Sequence, residues 1–347
     1  MLIFSCNSSL EPIDINDKHI YYNREGPHWQ IYISNINGDS PQNISNNPSD
    51  DAYGPLWSPD GRFIAFRYDR ENAGGNDIYL YDVNGDRKIN ITSEFTTAEN
   101  AYPVLWSPDN KKLIYYYQKI GELPYYCIMN LDGTEKSKLF NSVEHDIIDF
   151  CDYGNSILFS LNQNLFKKNL ITNSTEFIVS LKDMGVYSTW VDDYNPVSNE
   201  VLCHEDSSRW NGGATFMIKK ISLDTKRIDT LVIAEPGIKI LRPVLSNDYS
   251  KVAFIERDYT NDISRIILLE KGKKTKLHEL TTKNESYGIN KIEFSPRNMY
   301  ITFTVTVNVP NAWARFYSKI YVLQTLTKVA YVIDEGKDSH WNPINDF

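Results

Sequence analysis

The chain has 347 residues, a formal net charge of −9, and 41% hydrophobic and 13% aromatic residues. It has enough apolar content for a core; with no long basic run, non-specific binding to a nucleic-acid backbone is disfavoured and no nucleic-acid partner is expected, while a local basic pocket for an acidic ligand stays open. No apolar run reaches the roughly 18 residues a spanning helix needs. The 23 tyrosines against 5 methionines favour strands over helices.

At the start, Met1-Leu2-Ile3-Phe4-Ser5-Cys6-Asn7-Ser8-Ser9 resembles the end of a bacterial lipoprotein signal: apolar residues, a small residue, a cysteine, then a polar tether. Few residues precede Cys6, so the numbering is expected to begin inside a longer precursor. The resemblance implies an exported protein of the bacterial cell envelope, periplasmic or on the outer membrane. Its only membrane contact would be a lipid at Cys6. Residues 1–10 are therefore set apart from a single domain at 11–347. Cys127, Cys151 and Cys203 lie among apolar residues with no CxxC spacing, which predicts buried thiols and no disulfide framework.

From residue 18 onward the chain repeats. Trp57-Ser58-Pro59-Asp60-Gly61 joins two apolar runs with a tight turn: Pro59 presets φ, Asp60 bonds nearby backbone, and Gly61 tolerates φ > 0. Trp106-Ser107-Pro108-Asp109-Asn110 repeats it with Asn in the left-handed place. The anchors Trp57, Trp106, Phe150, Tyr194, Leu245, Phe294 and Trp341 follow at intervals of 44 to 51 residues, the period of four-stranded propeller blades. The second repeat reads as strands a (53–57), b (62–68), c (77–83) and d (89–92), with Asn84-Gly85 turning c into d. The third matches it, with Asp132-Gly133 as the turn, and the fourth is degenerate at Cys151-Asp152-Tyr153-Gly154-Asn155.

The first repeat begins at a strand b, Lys18-His19-Ile20-Tyr21-Tyr22, with no strand a before it. Ser339-His340-Trp341-Asn342-Pro343 has a strand a signature with no strand b after it. Joining the two would close the ring and remove two open edges. The expectation is an all-β, seven-bladed β-propeller of four-stranded blades, closed by a C-terminal strand that completes the first blade. The WSPDG turns, IAF-type strand b and IY-type strand c resemble TolB-type, WD-like propeller repeats over residues 18–343. That resemblance speaks to fold, because such propellers host unrelated functions.

In this plan the a–b and c–d turns share one face, the turn face, and are short. The b–c and d–a loops share the other, the loop face, and are long at 69–76, 206–214, 257–262 and 308–316. Binding is expected on the loop face. Its candidates are Arg209, Trp210, Trp313 and Arg315, with Arg242 and His340 at the channel mouth. Trp and Arg dominate binding interfaces, and arginine forks suit carboxylates. Tyr53, Tyr102, Tyr187 and Tyr287, near strand a starts, read as blade-to-blade packing with solvated hydroxyls.

The six histidines show no metal-ligand spacing, so no metal and no cofactor is expected. Asp149, Asp193 and Glu293 each precede a turn anchor and read as partners of neighbouring backbone, with an acidic inner ring for a cation as the alternative. No nucleophile elbow is present. The sequence therefore reads as a monomeric, non-catalytic binding module for a protein or an acidic glycan. One alternative stands beside it. Val201-Leu202-Cys203-His204-Glu205, with Trp210 nearby, is similar to a segment of oligogalacturonate lyases. This resemblance would imply proton abstraction next to a uronate carboxylate with a divalent cation, and makes His204 a catalytic candidate. That family's metal-ligand pattern is missing: the matching stretch reads Gly288-Ile289-Asn290-Lys291.

Overall fold

The recurring turn is built as its residue types require. Gly61 N–H donates to Ser58 O at 2.8 Å and Ser58 N–H to Phe63 O at 2.8 Å. Ser58 Oγ donates to Asp60 Oδ1 at 2.6 Å and accepts from Phe63 N at 2.8 Å, while Gly61 sits at φ 66°. In the next repeat Asn110 takes that place at φ 58°. Its side chain does what glycine cannot: Oδ1 accepts from Asp60 N at 3.0 Å in the preceding blade. Asn298 repeats the device, accepting from Asn247 N at 2.8 Å.

The structure, a computed structural model, describes residues 18–25, 28–36, 38–39, 41–47, 49–70, 74–141, 145–181, 188–206, 216–281, 286–308, 316–335 and 337–341. The fold is an all-β propeller of four-stranded blades, and the described strands pair into seven four-stranded sheets. The second runs Ala52–Trp57, Phe63–Asp69, Asn76–Asp82 and Arg87–Asn90 from its inner edge outward, within two residues of the sequence reading. In the first, Lys337–Trp341 pairs antiparallel with Lys18–Glu25, with His19 opposite Trp341 and Ile20 opposite His340. The C-terminal strand is thus the inner edge of the N-terminal blade.

Apolar side chains of successive sheets interlock. Trp57 and Phe66 pack with Ile31 and Ile33 of the first. Trp106 and Tyr115 pack with Ile78 and Leu80 of the second, and the series continues round the ring. It ends where Ile36 of the first sheet meets Tyr300 and Val322 of the seventh. An aromatic ladder, Tyr102, Tyr116, Tyr126, Phe140, Phe159, Phe166 and Phe177, crosses the third sheet into the fourth with centroid spacings of 4.4 to 6.3 Å. Much of the aromatic content is therefore packing at ordinary ring-pair distances. Cys127, Cys151 and Cys203 are free and buried, and burial pushes all three thiols up.

Two departures from the repeat matter below. Every inner strand carries a bulge two to four residues before its anchor: at 54–55, 104, 148, 192, 242–243, 290 and 338–339. Such bulges re-aim side chains and blunt an edge. In the fourth blade, Asp152, Tyr153 and Gly154 are consecutive left-handed residues at φ 51°, 56° and 87°. This explains the degenerate turn sequence and leaves Tyr153 fully exposed.

Candidate functional site

The site grows from the inner strand of the fifth blade, Ser188–Asn195. The bulge takes Asp192 out of register, while Trp190 stays directly opposite His204 on the next strand, Glu200–Asp206. The Trp190 and His204 rings stack at 5.0 Å and 16°. His204 Nδ1 lies 2.7 Å from Asp192 Oδ2. An ionised carboxylate only accepts, so Nδ1 is the donor of this bond. Burial pushes the Asp192 carboxyl up, opposed by the His204 hydrogen bond and charge and by the field of Arg242.

Arg242 comes from the bulge of the next inner strand, Ile238–Leu245. It is solvent-exposed and sits at φ 52° immediately before Pro243. That conformation is uncommon for a long side chain. Two bulges in neighbouring blades thus bring a carboxylate and a guanidinium to one part of the channel wall. The indole of Trp190 is 46% exposed and lines a cavity of about 560 Å³ with Asp146, Ser160, Asn162, Gln163 and Thr189. Gln163 Oε1 accepts from Thr189 N at 2.9 Å, tying the fourth blade to the fifth at the cavity wall.

Behind His204, Glu205 is fully buried and pairs with Lys219 at 2.7 Å. Toward the turn face, Asp193 Oδ1 accepts from Tyr194 N at 2.8 Å and Oδ2 from Leu245 N of the next blade at 2.9 Å. Asp149 accepts from Phe150 N at 2.7 Å. Both acids therefore bond neighbouring backbone, as their sequence positions suggest. Burial is the main cause that pushes Asp149 up to about 7 and Asp193 up to about 6.

His204 and Arg242 are thus brought into one neighbourhood. His340 lies on the closing strand by its backbone, and Arg209, Trp210, Trp313, Arg315 and Cys6 lie outside the described residues. Tyr53 differs from expectation: its hydroxyl donates to Asp51 Oδ2 at 2.9 Å and Arg67 covers its ring at 4.6 Å. Sequence reasoning missed Trp190 and Asp192. The signal was there, since Asp192 stands two places before the anchor Tyr194, where other repeats carry Pro55, Val104 or Ile148.

Among the described residues no three His, Cys, Asp or Glu side chains converge.

No family model matches the chain, and no curated protein does. Among solved structures it is similar to TolB from Acinetobacter baumannii, with a TM-score of 0.52 and 16% identity over 95% of this chain and 67% of that one. It is similar to an oligogalacturonate lyase from Vibrio parahaemolyticus, with a TM-score of 0.58 and 12% identity over 90% and 84%. Prolyl oligopeptidase B from Galerina marginata gives 0.60 and 14%, over 94% of this chain and 50% of that one. The chain spans half the length of that peptidase. At these identities the likeness is one of fold, a β-propeller held in common with TolB and oligogalacturonate lyases.

Proposed function

We propose that the chain is a seven-bladed, non-catalytic binding module of the bacterial envelope, and that its loop face binds a glycan carrying acidic groups. One observation carries the reading: an exposed indole, stacked on a histidine that a carboxylate orients, lines a polar cavity, with Arg242 acting on that same carboxylate. An aromatic plane stacks on the apolar face of a sugar ring, the amides and hydroxyls of Asn162, Gln163 and Ser160 suit its hydroxyls, and Arg242 suits its carboxylate. The described part of this face has a polar cavity rather than the broad apolar patch a protein partner would favour.

Immobilised neutral and uronic-acid oligosaccharides test the reading. Trp190→Ala and Arg242→Ala should each weaken binding by about 1–2 kcal/mol or more, Arg242→Ala only for the acidic set. Unchanged affinity in both variants would overturn the assignment. A second reading rests on the His204 and Asp192 pair, whose Nε2 could take a proton from a bound uronate. It predicts slow formation of an unsaturated uronate product, followed by ultraviolet absorbance and lost in His204→Gln. The envelope part of the proposal rests on the sequence around Cys6. It requires that Cys6→Ala move the native-host protein from the membrane to the soluble fraction.

A further inference from the structure

The turn face has material that its short turns conceal. Between the third and fourth blades lies a cleft of about 510 Å³, bounded by the turns at Ser107, Asp109 and Asn155. Its apolar floor is Ile128, Leu139 and Phe150. Fully exposed Tyr153 and 76%-exposed Ile171 belong to its lining. The left-handed turn at 152–154, where the fourth blade departs from the repeat, holds Tyr153 out at its rim.

Lys168 lines this cleft and is only 9% exposed. Its Nζ donates to Asn173 Oδ1 at 2.6 Å, and no described carboxylate lies within ion-pair distance. A buried ammonium satisfied by one neutral acceptor is costly, and buried lysines are ordinarily paired. The nearby charges do not compensate it. Asp109 is committed to its own turn through Ser107 Oγ at 2.7 Å and Lys111 N at 3.1 Å. Lys112, a second cation of the lining, pairs outward with Glu135 at 3.5 Å. With Lys138 the lining holds three lysines against the single carboxylate of Asp109, an excess of positive charge within a chain of net charge −9.

The remaining wall is a strand edge. Among the described residues Ser137–Asn141 has one strand neighbour, Tyr125–Asn130, and Ser137, Lys138 and Leu139 line the cleft. An edge with open backbone groups accepts an extended chain. We propose that this cleft is a docking site for an extended acidic peptide segment of a protein partner. A carboxylate of the segment would meet Lys168, and an adjacent apolar side chain would enter between Ile128, Leu139 and Phe150. This site is separate from the loop face and does not depend on the glycan reading.

The test is fluorescence polarisation with a labelled octapeptide of alternating glutamate and leucine, against its lysine and leucine counterpart. The acidic peptide should bind, more weakly as salt rises, and the basic one should not. Lys168→Met should lower the affinity about tenfold or more, and Lys168→Arg should keep most of it. Methionine replaces a buried uncompensated charge with a similar volume, so this variant should melt no lower than the wild type, which separates lost binding from unfolding. Trp190→Ala should leave peptide affinity unchanged. The proposal is overturned if the wild type does not bind the acidic peptide, if Lys168→Met binds it equally well, or if succinate alone competes as strongly as the peptide. That last result would mark a site for small anions.

Discussion

Asp149→Asn should stabilise the protein at alkaline pH and do little at acid pH. Asp149 sits on the inner strand of the fourth blade, one residue after its bulge, and faces the field of Asp193 in the next blade. Burial, reinforced by that like charge and opposed by the Phe150 N–H bond, pushes its carboxyl from 3.8 to about 7. A raised carboxyl keeps its proton in the folded state where the unfolded chain has released it. Its contribution is therefore fully favourable below the unfolded value and is lost as pH rises through the folded one. At about 1.4 kcal/mol per pH unit of separation the ceiling is roughly 4 kcal/mol, and a gain of about 2–4 kcal/mol is expected at pH near 8. Asparagine keeps an Oδ1 acceptor for Phe150 N and never ionises. The assay is the difference in melting temperature between variant and wild type across acid to alkaline pH, in which the other titrating groups largely cancel. A difference that does not change with pH, or a variant less stable at alkaline pH, would refute the reasoning.

Three further outcomes follow from named contacts. Asn110→Gly loses only the bond to Asp60 N and should cost about 0.5–1 kcal/mol, whereas Asn110→Ala adds a left-handed penalty and should cost about 1–2 kcal/mol more than glycine; equal melting temperatures would remove the backbone argument. Glu205→Ala strands the Lys219 ammonium and should cost about 3–5 kcal/mol, while the double replacement Glu205→Met with Lys219→Met should recover most of it by thermal melting. Deleting residues 337–347 unpairs the inner edge of Lys18–Glu25 and should lower the melting temperature sharply; an unchanged value would refute closure by the C-terminal strand.

The repeat was legible because it is made of local chemistry. Ser, Pro, Asp and Gly specify a turn within a few residues, and alternating apolar runs specify its strands, so Trp57, Trp106 and their copies marked the blades without any tertiary information. Even the closing strand could be read from an orphan signature at Trp341. The site was less legible. His204 was visible through a local resemblance, but its orienting partner Asp192 lies 12 residues away, across a strand pair. Arg242 was visible as an arginine, not as one held at φ 52°. Lys168 carried no signal, because what distinguishes it is the lack of a partner carboxylate among the described residues.

What the repeat hides is the position it leaves open. Each inner strand spends one or two residues on a bulge, and the hydrogen-bonded register around it fixes strand direction whatever residue stands there. In the second to fourth blades the bulge carries Gly54 and Pro55, Val104 and Ile148, which serve geometry or packing. In the fifth and sixth it carries Asp192 and then Arg242 with buried Pro243, and neither charged side chain contributes apolar burial. A buried carboxylate costs stability unless something compensates it, and Asp192 is compensated by His204, which in turn supports the exposed face of Trp190. Stability alone would favour another Val or Ile at position 192. The chain instead places a carboxylate and a guanidinium at these two bulges, the first beside an exposed indole, and the bulges at 290 and 338–339 carry polar residues as well.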